Sequence, residues 1–565
     1  MLKSSLKGRM GMVGLAAVMV LAGCSEQNPA KPAKVASSSS ATLVAYAAPV
    51  ESDVVAMRRL TSEQYQSIIS NVFGPRVKIV GKFDQLVRIN GLFAVGAAKV
   101  NMSPAGFEQF EIAARAVAAQ VVDPKNRALT MPCVPASPKA FDEACAQRFF
   151  SQAGRFLFRR PLTDEELKTR MDIAAAGTAA AGDFYAGVES GLSSLLMTPA
   201  FLFINEAVEP DPAVQGQKRL TAYSKASRLS FLLWNTAPDD ELLTAAATGA
   251  LHSEKGLAKQ VDRMIASRQL EGGVRAFFTD MLGFDKFDTL EKDSVLFPVY
   301  NAAVSLDAKE QLLRMIVEQL VVADGDYRDL FTMRKTYISD SLARIYRVAA
   351  PKPGAWGEYT YPENSPYTGI QSTFAFTALH SHAGRSSPTI RGKAIRELLL
   401  CQRVPDPPAN VNFAQFNAEH SEFKTARQRL EAHSTSPSCS GCHKLVDPIG
   451  LALENFDGAG QYRTSENGTP LDTSGKLDGI EYKDAPGLAP ALHNNNAITG
   501  CVVNRLSSYA LGRPQTKDEK AWLTTLGERF AASGYRLTAL LRDIANDKAF
   551  YAVPPAEQQV TQNVQ

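Results

Sequence analysis

The chain is 565 residues long, 45% hydrophobic and 21% charged, with 61 Lys and Arg against 58 Asp and Glu and a formal charge of +3. That length is enough for several domains. The near-balance of charge, with no Lys/Arg block, gives no case for nucleic-acid binding.

The first residues read as an export signal. Lys3, Lys7 and Arg9 precede an apolar run from Met10 to Leu21. That run is about half of what a membrane-spanning helix needs. It ends in Leu21-Ala22-Gly23-Cys24, which resembles a bacterial lipobox. An ordinary secretory signal with an incidental Cys is the alternative. The resemblance implies a signal over 1–23, acylation of Cys24 and an anchor strong enough to hold the protein on a membrane. Ser25 in place of Asp is similar to Gram-negative lipoproteins sorted to the outer membrane. Loss of the three signal cations leaves a mature charge of 3 − 3 = 0. Residues 24–52, with Pro29, Pro32 and four consecutive Ser from Ser37, have the composition of a flexible tether.

Beyond the tether the hydrophobic period is mostly helical. Leu229, Leu232 and Leu233 share one face of 224–234, and Leu312, Leu313, Ile316, Val317 and Leu320 form one stripe in 309–322. A further helix is expected over 258–266. Thr61-Ser62-Glu63 and Thr163-Asp164-Glu165-Glu166 are helix starts, the second with acids in its first turn. Alternating strands are scarce, with short pairs expected near 356–361 and 475–482. The predicted fold is mainly α, as several helical modules. Pro and Gly clusters near 199, 209–216, 351–366 and 405–408 punctuate the modules. The sequence holds no phosphate loop, no Gly-x-Ser-x-Gly elbow and no His-Glu-x-x-His.

Cys439-Ser440-Gly441-Cys442-His443 is a Cys-x-x-Cys-His pentad. Two thiols three positions apart can add to the two vinyl groups of one haem, and the next His can bind its iron. With seven Cys and seven His in the chain, chance yields such a pentad on the order of once in a thousand chains. A redox pair, a plain disulfide and a zinc site compete for the same residues. No βαβ pattern accompanies the pair, and no second Cys pair lies nearby. The predicted cofactor is one haem c, held covalently by Cys439 and Cys442 with His443 as proximal ligand. No Met follows Met333, so a downstream Met cannot be the sixth ligand. His433, six residues before Cys439, is favoured over His493 or water. His380, His382 and His420 lie farther upstream.

Cysteine parity adds a constraint. Removing Cys24 and the pentad pair from seven leaves Cys133, Cys145, Cys401 and Cys501, enough for two disulfides. Cys133 and Cys145 form the local pair.

Several runs in chain order resemble the domain of unknown function 1592 family, with companion domains 1587, 1595, 1588 and 1585. Met57 to Tyr65 looks like the first module, Phe158-Arg159-Arg160-Pro161-Leu162-Thr163 like the second, and Arg228 to Trp234 with Pro238 to Leu242 like the central one. The fourth is similar from Ser386-Ser387-Pro388 and Arg391-Gly392-Lys393 through the pentad to Asp447-Pro448-Ile449-Gly450, Leu453 to Asp457 and Tyr462-Arg463. Cys501 and Tyr509 to Arg513 resemble the last. The resemblance implies modules over 53–125, 126–210, 215–348, 360–465 and 478–555, the fourth being cytochrome-c-like. With parity, it implies a Cys401–Cys501 bridge, and it supports His433 over His493. Where the family often has Met before Asp-Pro, this chain has Val446.

Three functions follow as expectations. The first is a periplasmic electron carrier, anchored to the outer membrane by lipid and serving an unknown redox partner. The second is a haem oxidoreductase of peroxidase or oxidase type with an open distal site. The third is a non-catalytic surface-binding scaffold. Roughly 390 residues between tether and pentad exceed what simple shuttling requires and point to docking or substrate binding.

Overall fold

In a computed structural model, residues 53–553 are described, apart from 82, 85, 100, 101, 406–422, 435 and 436. The expected signal, the lipid site Cys24, the tether and His420 lie outside the described residues. Helices dominate, and the strands are few and short.

The first strand, Asp53–Arg59, pairs antiparallel with Phe203–Pro210, Arg59 facing Phe203, and the latter pairs with Lys218–Leu220. This three-stranded sheet was not expected from the sequence. The first strand carries Arg58 and Arg59 beside its apolar residues, so no clean alternation marks it, and its partner lies far along the chain. The expected pairs near 356–361 and 475–482 are present. Gly357–Thr360 pairs with Lys335–Ile338, and Gly475–Leu477 forms a hairpin with Ile480–Tyr482.

Helix starts follow the local chemistry. Thr61 and Thr163 each accept from the third helical residue while Gln64 and Glu166 reach back, closing two capping boxes. Acids in the first turn, Asp164 to Glu166, also complement the helix dipole. Ala222–Leu233 realises the stripe expected over 224–234, and Glu254–Ile265 the helix expected over 258–266. The stripe expected over 309–322 is a helix, Ala302–Val317, continued by a π turn, Glu318–Val322.

The apolar faces meet in two cores. One gathers Leu60, Tyr65, Phe110, Phe150, Val188 and Ile204 with their neighbours. The other draws residues from Leu92 to Tyr551, joining the middle and end of the chain. The segments near 277 and 509 touch directly, Phe277 meeting Tyr509 edge-on at 5.4 Å between ring centroids. Arg228 makes a buried two-pronged pair with Glu206, at 2.8 and 2.5 Å, and also donates to the Phe550 carbonyl. One residue thus ties the sheet, the central helices and the C-terminal segment together, which accounts for an arginine inside an otherwise apolar run.

Both expected disulfides are formed, Cys133–Cys145 across 12 residues and Cys401–Cys501 across 100. In the chain-entropy account the longer loop restrains the unfolded chain more. Replacing Cys401 and Cys501 by Ser is expected to cost about 4–5 kcal/mol, against about 3 kcal/mol for Cys133 and Cys145. Urea unfolding of the two double variants checks this ordering.

Candidate functional site

The pentad opens the helix Pro437–Leu451, whose first residue is proline, suited to a helix start. Cys439 and Cys442, three apart, lie on neighbouring positions of one helical face. Both are unbridged thiols, Cys439 buried and Cys442 half-buried. Cys442 Sγ approaches the Pro405 carbonyl at 3.5 Å.

One turn on, His443 Nδ1 lies 2.7 Å from Asp447 Oδ2. Asp447 is itself buried and accepts from Thr389 Oγ1 at 2.8 Å. The carboxylate thereby holds the imidazole orientation and favours the proton on Nδ1, which leaves Nε2 as the nitrogen with ligand chemistry. In the sequence Asp447 is part of the Asp447-Pro448-Ile449-Gly450 run, which by itself shows no role for it. Its i,i+4 spacing from His443 on a helix is the signal that could have found it.

The pentad helix is docked by close backbone contact. The helix Pro388–Ala394 crosses it, and a Cβ at Gly392 would overlap the Val446 carbonyl, while one at Gly450 would overlap the Pro388 carbonyl. These contacts explain glycine in Arg391-Gly392-Lys393 and in Pro448-Ile449-Gly450. Below it, Arg391 is fully buried and donates to the carbonyls of Leu453, Phe456 and Asp457 at 2.6–2.7 Å. Its carboxylate partner Glu454, also held by Arg463 at 2.9 Å and Ser386 at 2.8 Å, is equally buried. Burial lowers the Arg391 pKa to about 10, so the guanidinium stays charged at neutral pH.

A cavity of about 450 Å³ opens beside His443. It is walled by the pentad helix, by Arg427, Leu430 and Glu431 of the helix Ala426–Ser434, and by the 475–482 hairpin through Tyr482. The volume falls in the range of small-molecule pockets. His433 belongs to that same flanking helix; its side chain lies outside the described residues. His493 does not line the cavity; its Nε2 is 3.3 Å from Asp329 Oδ1. His380 is buried against Phe376, ring centroids 4.7 Å apart, and burial lowers its pKa to about 3. Among the described residues, no group of three or more His, Cys, Asp or Glu is placed to hold a bare metal ion. No helix among them is long and apolar enough to cross a membrane.

The site chemistry fits a covalently held haem: two thiols at the required spacing that are not joined in a disulfide, an imidazole oriented by a carboxylate, and an adjacent cavity. Each thiol S–H would add across one vinyl C=C, so nothing leaves and no oxidant is consumed.

Four segments match families each described as a protein of unknown function: DUF1595 over residues 145–206, DUF1592 over 220–348, DUF1588 over 368–466 and DUF1585 over 478–550. The pentad, Asp447 and Arg391 all fall in the third of these by chain order. The likeness of 53–125 to a further module rests on the Met57 to Tyr65 run. No curated protein and no solved structure matches the chain. With these four segments in this order, the chain belongs to the multi-module family of DUF1595, DUF1592, DUF1588 and DUF1585 proteins.

Proposed function

We propose that this protein is an outer-membrane lipoprotein carrying one haem c that transfers electrons to or from a periplasmic partner. The observation that carries the reading is the pentad helix, with two unbridged thiols followed by a His held by Asp447 at a cavity wall. Cys439 and Cys442 would hold the haem and His443 its iron, and the bound group would supply one-electron chemistry. Asp447 raises the donor strength of His443 and fixes its orientation. Thr389 restrains Asp447 in turn. The flanking helix that bears His433 forms one cavity wall, which supports His433 as the second axial ligand.

Ferric and ferrous absorption spectra test the carrier reading. Wild type is expected to be low-spin, and His433→Ala is expected to become high-spin and to bind carbon monoxide. A high-spin wild type would instead favour a haem oxidoreductase with an open site. A low-spin His433→Ala would move the ligand elsewhere, with His493 the next residue to change. Anchoring has its own test. Cys24→Ala is expected to shift the protein from the membrane fraction to the soluble periplasmic fraction, because the acyl chains supply the attachment. Retention in membranes after a salt wash would contradict the lipid anchor.

A further inference from the structure

A second cavity, a cleft of about 480 Å³, shares no lining residue with the one beside His443. It is lined by the helices Ser62–Phe73, Leu270–Leu282 and Ala302–Val317, and by residues 234–236 at the end of helix Ala222–Leu233. All but the first belong to the DUF1592 segment. Junctions between packed segments are a common place for small-molecule sites.

The first helix turns a polar stripe toward the cleft. Glu63, Gln66, Ser67 and Ser70 recur at helical spacing and line it. Tyr65, Ile68 and Ile69 of the same helix are buried in the core and fix the stripe in place.

Three charged side chains reach the cleft. Arg275 is already paired with Glu271 at 2.7 Å and with Glu310 at 2.9 Å. The other two are Glu63, which is exposed, and Lys309, which is half-buried. They come from different walls and have opposite signs. Each forms no ion pair with any described residue, yet the charge of Lys309 acts on Glu63. They are thus too far apart to pair and close enough to interact.

The floor adds a fixed donor. Asn235 is 3% exposed, and its Oδ1 accepts from the Tyr509 hydroxyl at 3.2 Å. That bond sets the carboxamide plane. Its Nδ2 has no acceptor among the described residues and keeps accessible surface on the cleft. A donor held this way invites an acceptor from a ligand.

We propose that this cleft binds an α-amino acid as its zwitterion, the ammonium donating to the Glu63 carboxylate and the carboxylate accepting from Lys309 Nζ and Asn235 Nδ2. With a charge-assisted hydrogen bond of about 2.8 Å at each end, such a ligand bridges groups roughly 8 Å apart or less. The proposal is independent of the haem: it assigns the part of the chain before the pentad a ligand of its own.

The test is calorimetric titration of the full mature chain with glycine, L-alanine, L-serine and L-leucine. Propionate, which is alanine without its ammonium, and ethylamine, which is alanine without its carboxylate, are the controls. At least one amino acid is expected to bind saturably at one site per chain, with both controls about tenfold weaker or more. Glu63→Gln and Lys309→Met are each expected to weaken that amino acid by about tenfold or more. Both variants are expected to melt with wild type, since the two side chains lie outside the core and hold no ion pair. The absence of binding by wild type to all four amino acids would overturn the proposal, even if a variant failed to fold. So would affinity unchanged in either variant. Propionate or ethylamine binding as tightly as the amino acids would overturn the assignment of a zwitterion.

Discussion

Arg391→Leu is expected to lower the unfolding free energy by about 3–5 kcal/mol, the range for stranding one member of a buried ion pair. Arg391 and Glu454 are 0% and 1% exposed at their side chains, so neither charge can turn to water. Leucine would leave Glu454 with Arg463 and Ser386 alone. It would also strip donors from the carbonyls of Leu453, Phe456 and Asp457, which fix the chain just after the pentad helix. Unpaired buried carbonyls add their own desolvation cost. Arg391→Lys keeps the charge but loses the planar fork that reaches several acceptors at once, so it should fall between the two. Urea unfolding followed by circular dichroism measures all three chains. A loss under about 1 kcal/mol for Arg391→Leu would show that the network contributes little net stability.

The second large effect is chemical. Cys439→Ser with Cys442→Ser is expected to abolish covalent haem attachment while leaving the helical signal nearly unchanged. Serine hydroxyls do not form the thioethers that hold haem c. Both thiols are unbridged, so no disulfide is lost with them. Either single variant is expected to keep one link at most and to stain weakly for haem on a denaturing gel. A double variant that stained like wild type would place the attachment elsewhere. Cys401→Ser with Cys501→Ser removes two cysteines and their disulfide without touching the pentad, so it is expected to lose stability and yet keep its covalent haem.

How much of this was legible in the sequence depended on the range of the interaction. The capping boxes at Thr61 and Thr163 and the stripe in Ala222–Leu233 are local, and they appear where the residue pattern placed them. The strand Asp53–Arg59 was not legible, because its pairing with Phe203–Pro210 spans the whole first core and its own residues do not alternate. The pentad was legible as a contiguous motif. Its cavity was not, because one wall is the 475–482 hairpin, which meets the pentad helix only in three dimensions. Arg391, Gly392 and Gly450 stood out as motif residues without reasons. The reasons are a buried donor fork and two backbone contacts, which no local pattern encodes.

The central claim is that this chain carries covalent haem at Cys439, Cys442 and His443. It is tested most directly by a pyridine haemochrome spectrum of mature protein made with the c-type maturation machinery, alongside a haem stain of the denatured chain. The expected result is one haem per chain, with a c-type spectrum, that stays with the polypeptide after denaturation. A chain that matures without haem, or whose haem is extracted by acidified solvent, would contradict it.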